Sequence, residues 1–243
     1  MFGGGERDRS PFGQWGFVLS AATLAVVGLL ALVVAVSGGS ASRGSQAPGR
    51  IHSATAAGGR DASAGGLDGC RLPAGSQQVP TSAPAADWVL VGSMAAPNSP
   101  GSIGPQRTVD GFRVCFAHSP LGALYAAANF WAAGTASSPA SVYQHLAADT
   151  PSRGKVVAQS HGNANRLDSS GPVALAGFEF NSYSPSSADL SVVLQGSSGA
   201  LVSVACTMVW QHGDWRYVIP PSGAPAAGQI QSLDGYVPWS DAS

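Results

Sequence analysis

ALVSVACTMVWQHGDWRYVIP, Ala200 to Pro220, changes polarity with a period of two. Val202, Val204, Cys206, Met208 and Trp210 fall on one side of an extended chain, as do Trp215, Tyr217 and Ile219 after the break. That alternation is the signature of strands buried on one face. His212-Gly213 between them reads as a two-residue hairpin turn. A two-residue turn fixes register: it sets Gln211 opposite Asp214 and Trp210 opposite Trp215. The two indoles then meet across the strands on one face, either as core packing or as an exposed aromatic platform for a partner.

Working outward from this hairpin, VALAGFEFNSY (Val173 to Tyr183) and DLSVVLQ (Asp189 to Gln195) show the same alternation. Short connections join them, including GSSG at Gly196 to Gly199. Four strands in sequence with tight turns make an antiparallel meander, and the long third strand suits a curved sheet. Upstream the period lengthens. Ser119 to Ala133 reads as a helix with Ser119 as N-cap and Pro120 in the first turn. Its residues are apolar nearly all round, so it is expected to be buried. Ser138 to Asp149 opens on a second Ser-Pro and reads as another helix, and residues 153–167 are ambiguous. After Pro221 the chain, residues 222–243, is mostly loop. GYVPW (Gly235 to Trp239) can dock back through its aromatics.

The first third of the chain has a different character. Phe17 to Val36 is an uncharged run of 20 residues. At 1.5 Å per residue it spans ~30 Å, the thickness of a bilayer core. With Trp15 at its edge it reads as a transmembrane helix over residues 15–37, after a short cytoplasmic lead at 1–14. The rival reading, a cleaved signal peptide, asks for a shorter apolar core and a more basic lead. Arginines lie on both sides of the run, so charge does not fix orientation. The short lead and long C-terminal remainder favour the N-terminus inside, with the C-terminal domain extracytoplasmic at the cell membrane. Residues 38–69 are Gly, Ser and Ala without apolar periodicity and read as a disordered linker. Residues 70–116 form an extended, proline-punctuated lead-in, with Asp87 to Ser93 and Gly111 to Ala117 as short strands. Residues 117–221 are the α+β domain.

Net charge is −1 over 243 residues, and basic side chains are dispersed. No direct nucleic-acid contact is expected from such a surface. Candidate chemistry is sparse. Cys115 and His118 lie close, but an i,i+3 spacing in extended chain separates the side chains. The five histidines, His52, His118, His145, His161 and His212, include no i,i+4 pair, and no Cys-x-x-Cys occurs, so no metal site is expected. Glu179, Asp189, Asp214 and Asn129 form no evident constellation. The expectations are therefore no catalytic residue, no cofactor and no metal: not an enzyme. Of the three cysteines, Cys206 sits on the apolar face of a strand and reads as a buried thiol. Outside the cytoplasm this leaves Cys70 and Cys115 as the expected disulfide. Trp210, Trp215 and Trp239 are the candidates for partner contact.

Three motifs carry a resemblance: AAPNSPGSIGPQ (Ala95 to Gln106), CFAHSPLGALYAAANFWA (Cys115 to Ala132) and GDWRYVIP (Gly213 to Pro220). They are similar to the extracytoplasmic domain of actinobacterial conjugative-element membrane proteins. Those resemble the bitopic, nuclear-transport-factor-2-like assembly factor of type IV secretion systems. The resemblance implies an α+β fold: an N-terminal transmembrane helix, a flexible linker, then a cone-shaped domain of helices followed by a curved four-stranded antiparallel meander. It also implies a non-enzymatic scaffold of a conjugative or type IV secretion-like apparatus, in contact with other secretion-apparatus proteins and self-associating as a homo-oligomer. The alternative is a cell-surface cone-fold protein binding a ligand for a lipid or small-molecule importer. A cone filled by bulky side chains favours the scaffold, and an open apolar cone the binder.

Overall fold

Ser119 starts the central helix of the computed structural model, which describes residues 70–160 and 172–241. Its hydroxyl accepts the Gly122 N–H at 3.1 Å, and Pro120 fills the first helical position. Helix α1 (Pro120–Ala136) ends where the Ser137 N–H closes on the Ala133 carbonyl. Nearly every residue of α1 is buried, as its all-round apolar surface requires. Gly122 is obligatory there: a Cβ would lie 1.8 Å from the Ala117 carbonyl oxygen. Helices α2 (Pro139–Leu146) and α3 (Pro151–Ser160) follow, α2 again capped by a serine, Ser138.

The meander is present as β5 (Val173–Ser184), β6 (Ser187–Gly196), β7 (Leu201–Gln211) and β8 (Asp214–Tyr217). The hairpin pairs Gln211 with Asp214 and Trp210 with Trp215. Two register shifts in β5, between Leu175 and Gly177 and between Phe180 and Ser182, put bulges into that strand; bulges bend and twist it.

The expected cone on a four-stranded sheet is corrected by this topology. Among the described residues the main sheet has six strands: β10 (Val237–Pro238), β5, β6, β7 and β8 in that order, with β9 (Ala227–Ile230) also on β7. Strand β8 is too short to satisfy the edge of β7. It covers Met208 to Gln211, and β9 (Ala227–Ile230) covers Leu201 to Val204 along the same edge. At the other side β10 (Val237–Pro238) pairs with Gly177 and Phe178 of β5. The tail is mostly loop, as expected, and adds two short strands to the sheet. The lead-in is also more ordered than its prolines suggest. It forms two hairpins, β1 (Asp87–Val91) with β2 (Met94–Asn98), and β3 (Arg107–Val109) with β4 (Phe112–Val114). Gly92 at φ 60°, and Asp110 and Gly111 at 51° and 84°, supply the positive φ that two-residue turns need. Pro97 sits opposite Trp88, at a position where the strand pair needs no N–H. The architecture is therefore two hairpins, three helices and a six-stranded sheet among the described residues, not a nuclear-transport-factor-2-like cone. The membrane helix expected at 15–37 and the linker at 38–69 lie outside the described residues. No described helix is long and apolar enough to cross a membrane.

The space between α1 and the sheet is filled. Leu124 and Tyr125 of α1 and Phe178, Leu190, Val192 and Met208 of the sheet are fully buried. Trp239 closes one end of this core, with ring centroids 5.1 Å from Trp88, 5.5 Å from Tyr125 and 5.6 Å from Phe178.

Candidate functional site

The β3–β4 hairpin, the α2–α3 connection and the β7–β8 turn enclose an open cleft of about 380 Å³. Val109, Phe112 and Val114 form its apolar wall, and His145, Asp149, Arg153, His212 and Arg216 its polar one. The local sequence explains how these side chains arrive together. His145 lies in the last turn of α2 and stacks on Phe112 at 4.4 Å. His212 occupies the β7–β8 turn at φ 54°, a conformation unusual for a residue with a Cβ. Its Nε2 lies 2.9 Å from the Asp149 carboxylate.

Each of these charged groups already has a partner. Asp149 pairs with Arg153 one turn later and with His212, and its backbone N–H donates to Gln211 Oε1 at 2.7 Å. Arg153 also donates to the Gln144 carbonyl. Arg216 donates to the His145 carbonyl and lies 4.0 Å from Asp214. His145 Nδ1 is 2.8 Å from the Ser141 carbonyl, so it carries the proton there, and Nε2 faces Asp110 at 3.8 Å. These contacts hold α2, α3 and the β7–β8 turn together. The cleft offers a shaped, half-polar surface.

Behind the cleft lies a residue that sequence reasoning undervalued. Asp214 is 1% exposed. Its carboxyl accepts the N–H groups of Cys115 and Phe116, each at 2.9 Å, and that of Trp215 at 3.0 Å. Burial pushes its pKa up, while the Cys115 hydrogen bond, Arg216 and the other two N–H groups oppose the rise. In sequence Asp214 looks like a turn-adjacent strand start. The signal that marks it is its place directly before a buried Trp, where a solvated acid does not fit.

The residues singled out in the sequence are placed as follows. Cys70 and Cys115 are joined through their sulfurs, with Cα atoms 5.5 Å apart. Cys206 is free and buried, and burial pushes its thiol up to about 12. His118 is not directed at Cys115. It stacks on Trp210 at 4.0 Å and contacts the Pro185 carbonyl through Nε2. Trp215 and Trp239 are 3% and 2% exposed, which corrects their nomination as partner contacts. Their indole N–H groups donate inward to the carbonyls of Ala117 and Pro84. Trp210 is half-buried, between His118 and the edge of Trp215 at 5.5 Å. Asn129 donates to the Pro97 and Tyr125 carbonyls, and Asp189 accepts from Ser182 and Thr207. Glu179 is half-buried on β5. His52 and His161 lie outside the described residues. No group of three or more metal-ligating side chains converges among the described residues.

No curated protein and no solved structure matches the chain. A family model described as a domain of unknown function, DUF8175, matches residues 51–238, which take in both hairpins, the three helices and the main sheet. The chain belongs to the DUF8175 family.

Proposed function

We propose that this protein is a non-enzymatic scaffold that works through protein–protein contacts of its folded domain. The observation that carries the reading is the filled interior. The space between α1 and the sheet, where a ligand chamber would lie, is occupied by Leu124, Tyr125, Phe178, Leu190, Met208 and Trp239. The internal pairing of the cleft's charged groups supports the same conclusion. A domain with a packed centre and a self-satisfied surface cleft has its outer faces to work with. A packed interior supports the scaffold over the ligand-binding alternative.

The setting we propose is the outer face of a cell membrane, anchored by the apolar run Phe17 to Val36, as part of a conjugative or type IV secretion-like apparatus. Sequence supports the anchor, and the three motifs support the apparatus. A cystine between Cys70 and Cys115 suits an oxidising compartment. Proximity crosslinking from the full-length protein in its host tests this. Membrane components of a secretion apparatus are the expected captures. Capture of importer subunits alone, or undiminished conjugative transfer after deletion of the gene, overturns it.

A further inference from the structure

We propose that the free edge of β1 pairs with β1 of a second copy, joining two β1–β2 hairpins into one four-stranded antiparallel sheet. This rests on the scaffold reading above and names one of its contacts.

The argument starts from register. Val91 and Met94 close a two-residue turn, and the closing pair of such a turn is hydrogen-bonded. Pairs alternate from there, so Val89 and Asp87 bond to β2, while the N–H and C=O groups of Trp88 and Leu90 point away from it. Pro97 fits this phase, because it faces Trp88 and turns its carbonyl outward to Asn129. Among the described residues, strand β1 has β2 as its one neighbour in this sheet. Two of its residues are exposed, one on each face of the strand: Leu90 is 75% and Val89 37% exposed.

Edges of this kind are usually blunted by lysine, proline, a bulge or a covering element. DWVLV carries none of the first three. It is also self-complementary. In an antiparallel pair centred on Val89, Trp88 of each copy faces Leu90 of the other. These are the two residues whose backbone groups point outward, and each pair exchanges both hydrogen bonds. Asp87, the one charge on the strand, then faces Val91, and the two Asp87 carboxylates fall at opposite ends. No like charges meet, and two exposed leucines are covered. A two-fold axis through Val89 generates a closed, isologous contact.

The test is a single added thiol in the full-length protein in its native membrane. Across the proposed axis the two Val89 residues form a non-hydrogen-bonded pair, whose close Cβ spacing suits a disulfide. Val89→Cys is expected to give a covalent dimer under mild oxidation, and Ser198→Cys, in the exposed β6–β7 turn, none. Adding Leu90→Lys to Val89→Cys is expected to abolish the dimer, with thermal melting of the domain unchanged. Equal crosslinking at the two positions, or a dimer that survives Leu90→Lys, overturns the pairing. Capture of other proteins by such a non-dimerising chain leaves the scaffold reading standing while the pairing fails. A chain that captures nothing and does not dimerise fails both.

Discussion

Asp214 holds the backbone of Cys115 from 99 residues away: Oδ2 accepts the Cys115 N–H and Oδ1 the Phe116 N–H, each at 2.9 Å. Cys115 sits at φ 75°, a left-handed conformation that costs a residue with a Cβ on the order of 1–2 kcal/mol. The buried carboxyl compensates by satisfying two N–H groups that the bent chain turns inward. It thereby fixes both the half-cystine and the entrance to α1. Asp214→Asn keeps the shape but turns an amide NH₂ toward one of those N–H groups. A loss of about 3 kcal/mol is expected, read as a lower urea midpoint at constant slope. An unchanged midpoint would show that Asp214 is not the organiser of this corner.

Two glycines in helices make opposite demands. Alanine is favoured over glycine in a helix by about 1 kcal/mol. On α3, nothing lies within 4 Å of a Cβ built at Gly154, so Gly154→Ala should stabilise by up to that amount. On α1, a Cβ at Gly122 would strike the Ala117 carbonyl. Gly122→Ala should therefore destabilise by at least about 1–3 kcal/mol despite the better propensity. Thermal melts of the two variants should move in opposite directions, and movement in the same direction contradicts the assigned packing.

The disulfide closes a sequence separation of 45 residues that contains both hairpins. By loop entropy, removing it should cost roughly 3–4 kcal/mol. Cys70→Ser is the informative variant, because Cys70 lies at the margin and Cys115 in the core. Its melting temperature should fall to that of the reduced wild type. A non-reducing peptide map that places Cys206 in the bond defeats this assignment.

What the sequence revealed follows from the range of the forces involved. The Ser119-Pro120 cap, the buried α1 and the Trp210–Trp215 register are local, set by neighbours a few residues away. Strands β9 and β10 were not legible, because neither AGQI nor VP alternates. They are strands only because β7 and β5 leave edges for them. Strand β2 was hidden by Pro97, whose missing N–H is harmless only in the phase that the Gly92 turn imposes. Asp214 was visible as a residue but not as a hub, since its partners arrive from about a hundred residues upstream. The burial of Trp215 and Trp239 likewise depends on chain that returns from a distance.

Alkaline pH should expose the buried acids. Burial pushes the Cys206 thiol up to about 12; it also pushes the Tyr125 phenol up to about 12, with Asp87 adding to the rise. Above the ordinary value of each group the unfolded chain releases a proton that the folded chain keeps. Stability is then fully present below about pH 9 and falls as pH rises toward 12, by about 1.4 kcal/mol per pH unit for each such group. Urea titrations at pH 8, 9.5 and 11 should show this fall. Cys206→Ser, which keeps an acceptor for the Trp131 indole, should give a shallower one. An equal slope in the variant would mean that the thiol ionises freely in the folded protein.

Trp239 distinguishes a core residue from a contact residue. Its N–H donates to Ala176 on β5, its indole to the Pro84 carbonyl in the lead-in, and its ring packs on Trp88, Tyr125 and Phe178. One side chain thus ties the end of the chain, the sheet edge and the β1–β2 hairpin to the same core. Trp239→Ala should cost about 3–5 kcal/mol. Trp239→Phe keeps most of the volume and forfeits one hydrogen bond, for about 1 kcal/mol. Because Pro84 is among the groups released, amide exchange from Ala85 to Val91 should accelerate in both variants, more in the alanine. A tryptophan reserved for a partner would behave differently: both variants would melt like the wild type, and exchange in β1 would not change.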